Sequence, residues 1–194
     1  MKTHKSISVL IVSLFALAAC DDGTAVSDAY AARKPQFKID AEYLKKITSS
    51  PKAVISYMSG NTGRNYSSGH GSQIEYTASN GTLALWYPGN NKVVKGYWKA
   101  QKSTKGDVQV CFKYPSSSFN PVTQETGGRW ECTSAKLALA FDVERVSGDP
   151  FNLASGAIPF VLPRGQNISF AEIGSKTGIQ PDKLNALQAP MQLK

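Results

Sequence analysis

The chain predicts a mainly β fold, a small antiparallel β-barrel or curved meander sheet with a short N-terminal helix and a C-terminal helical tail. Three observations carry this prediction. Apolar and polar residues alternate with a period of two through residues 73–78, 107–114 and 137–144, as half-buried strands do. Asn80-Gly81 sits between two such runs and is the strongest short hairpin signal. Strands follow one another at short spacing with no strand–helix alternation, which favours a meander over a parallel sheet. The 194 residues, 41% hydrophobic and 19% charged, suit one domain with its own core, and they exclude collagen, coiled coil, a disordered chain and a multi-pass membrane protein.

The elements follow in order. Asp40 is placed to cap a helix over residues 41–48, with Tyr43, Leu44 and Ile47 on one side, and Pro51 restarts the chain into residues 53–58. Residues 60–71 are glycine-rich but match neither a phosphate-binding loop nor a dinucleotide fingerprint, and they read as a strand edge and loop. Ile74, Tyr76 and Ala78 then alternate against Gln73, Glu75 and Thr77. Residues 82–87 form a strand apolar on both faces, and Pro88-Gly89-Asn90-Asn91 turns the chain. Over residues 92–100, Val94, Trp98 and Ala100 face one way around Gly96, with Lys95 and Lys99 opposite. Val108, Val110, Phe112 and Tyr114 alternate with Asp107, Gln109, Cys111 and Lys113, which puts Cys111 on the outer face. Leu137, Leu139, Phe141 and Val143 alternate with Ala138, Ala140, Asp142 and Glu144 as a further strand, and residues 170–177 and 181–187 read as two amphipathic helices. The boundaries expected are 39–146 for the barrel-like domain and 147–194 for a loop and helical tail packed on it.

The first 38 residues carry an address. Lys2 and Lys5 precede an apolar stretch over residues 7–16, too short to span a bilayer, which is the layout of a secretory signal. Leu17-Ala18-Ala19-Cys20 resembles a bacterial lipobox. That resemblance implies a lipoprotein signal peptide over residues 1–19, lipid attachment at Cys20 with acyl chains such as palmitate, and a flexible tether over residues 20–38. The other reading is an ordinary signal peptide with a chance cysteine near its cleavage site. Several acyl chains hold a protein stably in a membrane at about 0.8 kcal/mol per buried methylene. The expected location is the bacterial cell membrane, facing the periplasm; inner and outer membranes both stay open, and similarity to enterobacterial lipoproteins makes Asp21 favour the inner one.

Loss of Lys2 and Lys5 with the signal lowers the formal charge from +8 to +6. For an envelope protein this implies attraction to anionic headgroups or no role, and no nucleic-acid partner is expected. Lys92, Lys95, Lys99, Lys102 and Lys105 read as a solvated face and turn. With Cys20 lipidated, Cys111 and Cys132 are the remaining cysteines, and in an exported domain they are expected to pair as a structural disulfide worth roughly 3 kcal/mol. A redox-active pair would call for a C-x-x-C spacing or a nearby histidine.

Gly60-Asn61-Thr62, Tyr76, Asn80-Gly81-Thr82, Gly96-Tyr97-Trp98 and Val110-Cys111-Phe112-Lys113-Tyr114 together resemble a family of small exported proteins of alphaproteobacteria. The resemblance covers about 75 residues and implies a lipocalin-like β domain with no assigned activity. The basic meander and the tail beyond Val146 depart from it. The tail, through Gly165-Gln166-Asn167-Ile168, Ile173, Gly178-Ile179 and Leu184-Asn185-Ala186-Leu187, resembles the first half of a LysM repeat, which implies peptidoglycan binding. Gln166-Asn167 replaces the acid and threonine of that pattern, and no room is left for its second strand before Lys194.

His70 is the single histidine past the signal, so a histidine-rich metal site is not expected, and no Gly-x-Ser-x-Gly elbow accompanies it. The acids of the β region, Glu75, Asp107, Glu125, Glu131, Asp142 and Glu144, could supply paired carboxylates for a hydrolase, but their alternation reads as a solvated face. Neither a cofactor nor a catalytic group is expected. Inward aromatics fill small barrels or line a pocket, and Trp86, Trp98 and Tyr97 are the candidates for contact with a ligand or partner. The function expected is a non-catalytic binding or assembly module whose partner is an envelope protein or peptidoglycan. A lipocalin-like carrier of an apolar small molecule is the alternative.

Overall fold

The computed structural model describes residues 37–120 and 122–193. The expected signal peptide, Cys20 and most of the expected tether lie outside the described residues. The fold is mainly β, with ten strands and four short helices among the described residues. Eight strands form one antiparallel sheet in the order β7-β6-β5-β4-β3-β2-β8-β9, curled into a half-barrel. These are β2 (Asn61–Ser67), β3 (Gly71–Thr77), β4 (Thr82–Trp86), β5 (Val94–Lys102), β6 (Val108–Lys113), β7 (Glu131–Ser134), β8 (Asp142–Ser147) and β9 (Ala186–Leu187). β7 and β9 end the order without pairing to each other, so the barrel is open.

β1 (Phe37–Ile39) pairs antiparallel with β10 (Met191–Leu193), with Lys38 opposite Gln192, so the last residues of the expected tether are strand. Asp40 caps α1 (Ala41–Ile47) by accepting the Tyr43 amide at 2.9 Å. Ser50 accepts the Ala53 amide at 3.1 Å and Pro51 takes the first position of α2 (Pro51–Met58), whose Val54, Tyr57 and Met58 are buried.

The glycine-rich segment differs most from its expectation. It is the interior strand β2, paired to β3 on one side and β8 on the other. Its polar residues mask a strand whose neighbours supply the apolar surface. The meander from β3 to β6 follows the alternation, with the Asn80-Gly81 turn joining β3 to β4. Cys111 lies directly opposite Cys132 across β6 and β7 at disulfide distance, with Sγ atoms 2.00 Å apart, on the face of β6 away from Val110.

The expected strand over residues 137–144 starts as a helix instead. α3 (Ala135–Leu139) buries Ala135 and Leu139, four apart, while Leu137 and Phe141 are exposed. Leucine and alanine are strong helix formers, and an alternating leucine run satisfies the i, i+4 pattern as well as the period of two. In the tail, the expected helix forms as α4 (Phe170–Thr177), started by a capping box of Ser169 and Glu172. The second expected helix is reduced to a 3-10 turn at Pro181–Lys183, after which β9 and β10 return to the sheets.

Each face of the sheet has its own core. Ile74, Ala84, Trp86 and Val146 are covered by the segment carrying Phe151, Leu153, Leu162, Ile168, Phe170 and Ile173. Leu83, Trp98 and Val110 face the other way and pack against α1, α2 and α3. The Tyr114 hydroxyl, just past β6, reaches Glu75 of β3 across two intervening strands, which identifies this second face as the concave one.

Candidate functional site

The concave face holds a cavity of about 270 Å³. Met58, Leu85, Phe112 and Leu139 give it an apolar wall, and Asn65, Gln73, Glu75, Asp142 and Arg145 give it a polar floor. The floor follows from register. Gly63 of β2 lies between Glu75 of β3 and Arg145 of β8. A Cβ built at Gly63 would meet nothing nearer than the Asp142 carboxylate, 3.8 Å away, so the missing side chain leaves the floor open.

One irregularity decides which acids face inward. Arg64 pairs with Glu144 but Asn65 pairs with Asp142, so one extra β8 residue bulges between them. Residues two apart on a strand normally share a face. Here the bulge turns Asp142 inward and leaves Glu144 on the convex face, which corrects the solvated face expected for both. Glu75 is likewise directed into the concavity.

The two inward carboxyls are linked to two tyrosines. Tyr57 Oη donates to Asp142 Oδ2 at 2.9 Å and Asn65 Nδ2 donates to Oδ1 at 3.4 Å. Burial pushes the Asp142 carboxyl up to about 7, against the pull of Tyr57, Arg145 and Asn65. Burial and then the charge of Asp142 push Glu75 up to about 8, opposed by the Tyr114 hydroxyl 3.4 Å from Oε2. Glu75 Oε1 has no hydrogen-bond partner. Both phenols are held above their ordinary range by burial and by these carboxylates, so they remain O–H donors at neutral pH. Among the described residues Arg145 is the one basic side chain lining the cavity; its charge acts on the Asp142 carboxyl, and its buried Nε has no hydrogen-bond partner. Its Nη1 donates to the Gln188 carbonyl at 2.8 Å, its Nη2 to the Tyr57 carbonyl at 2.6 Å, and the guanidinium lies 3.8 Å over the Tyr57 ring.

A second hollow of about 140 Å³ shares Gln73, Leu85 and Tyr114 with the first and extends it toward Tyr87 and Asn120. Beside it, His70 Nδ1 lies 2.6 Å from the Tyr87 hydroxyl, and burial lowers the histidine's pKa. The arrangement offers acceptors, two proton-binding carboxyls and an apolar wall, which suits retention of a small amphiphilic molecule.

The aromatic candidates lie elsewhere. Trp86 is fully buried in the convex core, its Nε1 donating to the Phe160 carbonyl at 2.9 Å and its ring edge-on to Phe151 and Phe160. Trp98 is buried in the concave core with Nε1 bonded to the Ala78 carbonyl. Tyr97 is exposed on the opposite side of β5. None of the three lines the cavity, whereas Glu75 and Asp142, read from alternation as outward acids, do. A signal for them was present in residues 82–87. A strand apolar on both faces requires both faces of its sheet to be covered, and the polar alternants of neighbouring β3 are then covered too.

In comparisons with known proteins, no family model, no curated protein and no solved structure matches the chain. Among the described residues, no helix is long and apolar enough to cross a membrane, and no cluster of three or more histidine, cysteine, aspartate or glutamate side chains could hold a metal ion.

Proposed function

We propose that this protein is a non-catalytic, lipid-anchored binding protein of the bacterial envelope, facing the periplasm, whose half-barrel retains a small molecule in its concave face. One observation carries the reading: a cavity with an apolar wall and a polar floor on which Glu75 Oε1 lacks a partner. A buried acceptor left without a donor costs stability, and a bound ligand that supplies the donor recovers it. The lipocalin-like resemblance agrees with this use of a curved sheet. The polar floor shifts the ligand from purely apolar to amphiphilic. An anchor at Cys20 would hold such a binder at the membrane surface while leaving the domain free to exchange ligand.

Native mass spectrometry of the full processed chain, released from membranes in mild detergent, tests the reading against the same sample after denaturation. A small mass lost on denaturation is the expected result. A bare chain, together with a melting temperature unmoved by a panel of small amphiphiles, would overturn it. The anchor is tested separately by metabolic palmitate labelling, which is expected to disappear in Cys20→Ser.

A further inference from the structure

We infer that the molecule held in this cavity is a small organic cation, an ammonium head on a short apolar or aromatic body. The inference rests on the binding reading above and names its ligand class. Two acids face one base on the floor. Glu75 and Asp142 contribute acidic oxygens, and Arg145, the one basic residue among the described lining, spends Nη1 and Nη2 on two backbone carbonyls and its face on the Tyr57 ring, which leaves Nε as its single unpartnered donor. Glu75 Oε1 has no partner; an ammonium brings three donors and favours the ionised carboxylate, whose proton leaves to solvent.

The alternatives fit less well. An anion would enter beside two acids and meet, among the described residues, one cationic group alone, the unpartnered Nε of Arg145. A neutral apolar molecule would displace water from the carboxyls and give them nothing in return. The walls suit a cation's body, because Phe112 and Tyr114, stacked with ring centroids 6.4 Å apart, border the same space and aromatic faces attract organic cations. A volume of about 270 Å³ matches roughly nine waters at ~30 Å³ each, so the ligand has on the order of ten non-hydrogen atoms.

Three probes of nearly equal shape and different charge test this by titration calorimetry on the full processed chain: phenethylammonium, 2-phenylethanol and phenylacetate. Phenethylammonium is expected to bind about ten- to a hundredfold more tightly than 2-phenylethanol, the span of a charged hydrogen bond, with phenylacetate the weakest. Glu75→Gln is expected to bring phenethylammonium down to the level of 2-phenylethanol while leaving 2-phenylethanol unchanged. If that variant does not fold by circular dichroism, Asp142→Asn is read the same way. Equal or tighter binding of the alcohol overturns the cation inference and leaves the binding reading standing. Failure of all three at millimolar concentration overturns both. An ammonium preference that survives the carboxyl substitutions overturns the assignment to this floor.

Discussion

On the convex face Arg64 is fully buried, yet it is paired with Glu144 through Nε, and its Nη1 donates to Ser72 Oγ at 3.1 Å and Asn167 Oδ1 at 2.6 Å. The same Glu144 oxygen accepts the Phe170 amide, and Ser72 exchanges hydrogen bonds with the Ile168 backbone in both directions. On the concave face, one strand position away, Asp142 and Glu75 share a cavity and no arginine nitrogen pairs with either. Charge on the first face is used to fasten residues 167–170 to the sheet. Each face keeps one unpartnered guanidinium nitrogen, Arg64 Nη2 and Arg145 Nε, but only the second also leaves a carboxyl oxygen of its cavity, Glu75 Oε1, without a partner. A single bulge in β8 separates the two roles, so the same pair of strands supplies a clasp and a binding floor.

Substitutions on the convex face should therefore act on stability and leave binding alone. Trp86→Ala removes a fully buried indole and its hydrogen bond, and is expected to cost about 3–5 kcal/mol in urea unfolding. Arg64→Ala strands Glu144 and frees Asn167, and is expected to cost ~3 kcal/mol, the lower end for a broken buried pair because Glu144 keeps some solvent contact. A cost under ~1 kcal/mol for Arg64→Ala would show that the clasp does not hold the tail and would collapse the contrast between the faces.

The concave face should behave in the opposite sense. Glu75 titrates near 4.5 when unfolded and near 8 in the fold, and Asp142 near 3.8 and near 7. Between those values the folded state keeps protons that the unfolded chain has released. Stability from these groups is fully present below pH 4, falls as pH rises through 7 and 8, and is flat beyond. Glu75→Gln should match the parent at pH 4 and exceed it by at least ~1 kcal/mol at pH 9, since an unsatisfied buried acceptor costs about 1–3 kcal/mol and a charged one more. Urea unfolding across that range checks it. A variant no more stable than the parent at pH 9 would mean that the carboxylate is already well solvated.

Much of this architecture was legible in the residues. Asp40 marks a helix start because caps are local, and the meander from β3 to β6 follows from alternation and Asn80-Gly81. Where two periods fit equally, local reading failed. Leu137 and Leu139 sit in a helix because burial of Ala135 and Leu139 against α1, α2 and β6 decided between patterns that the residues alone left tied. The site was illegible for a related reason. Alternation states which residues share a face but not whether that face is covered, and the covering of Glu75 and Asp142 comes from Tyr57, Met58 and Tyr114, distant in sequence from Asp142, together with Leu139 of the preceding helix. A bulge has no composition signature, so the separation of Asp142 from Glu144 appears only in the pairing with β2.

Gly63 gives the smallest expected stability effect and the sharpest distinction between the faces. At Gly71 the backbone is left-handed with φ +91°, and an added Cβ would stand 2.8 Å from the Gly165 amide nitrogen, so a side chain there collides with the convex covering segment. Gly63 has neither constraint: its φ is not positive and its space opens on the cavity. Gly63→Ala should change stability by under ~1 kcal/mol, in the favourable direction, since alanine narrows the unfolded ensemble. Gly63→Val places two further methyl groups on the floor between Glu75 and Asp142. Its unfolding midpoint should stay near the parent's while retention of the small molecule is lost. A fold that survives Gly63→Val with binding intact would move the ligand away from this floor; one that collapses would show that β2 needs the glycine for packing, as β3 does at Gly71.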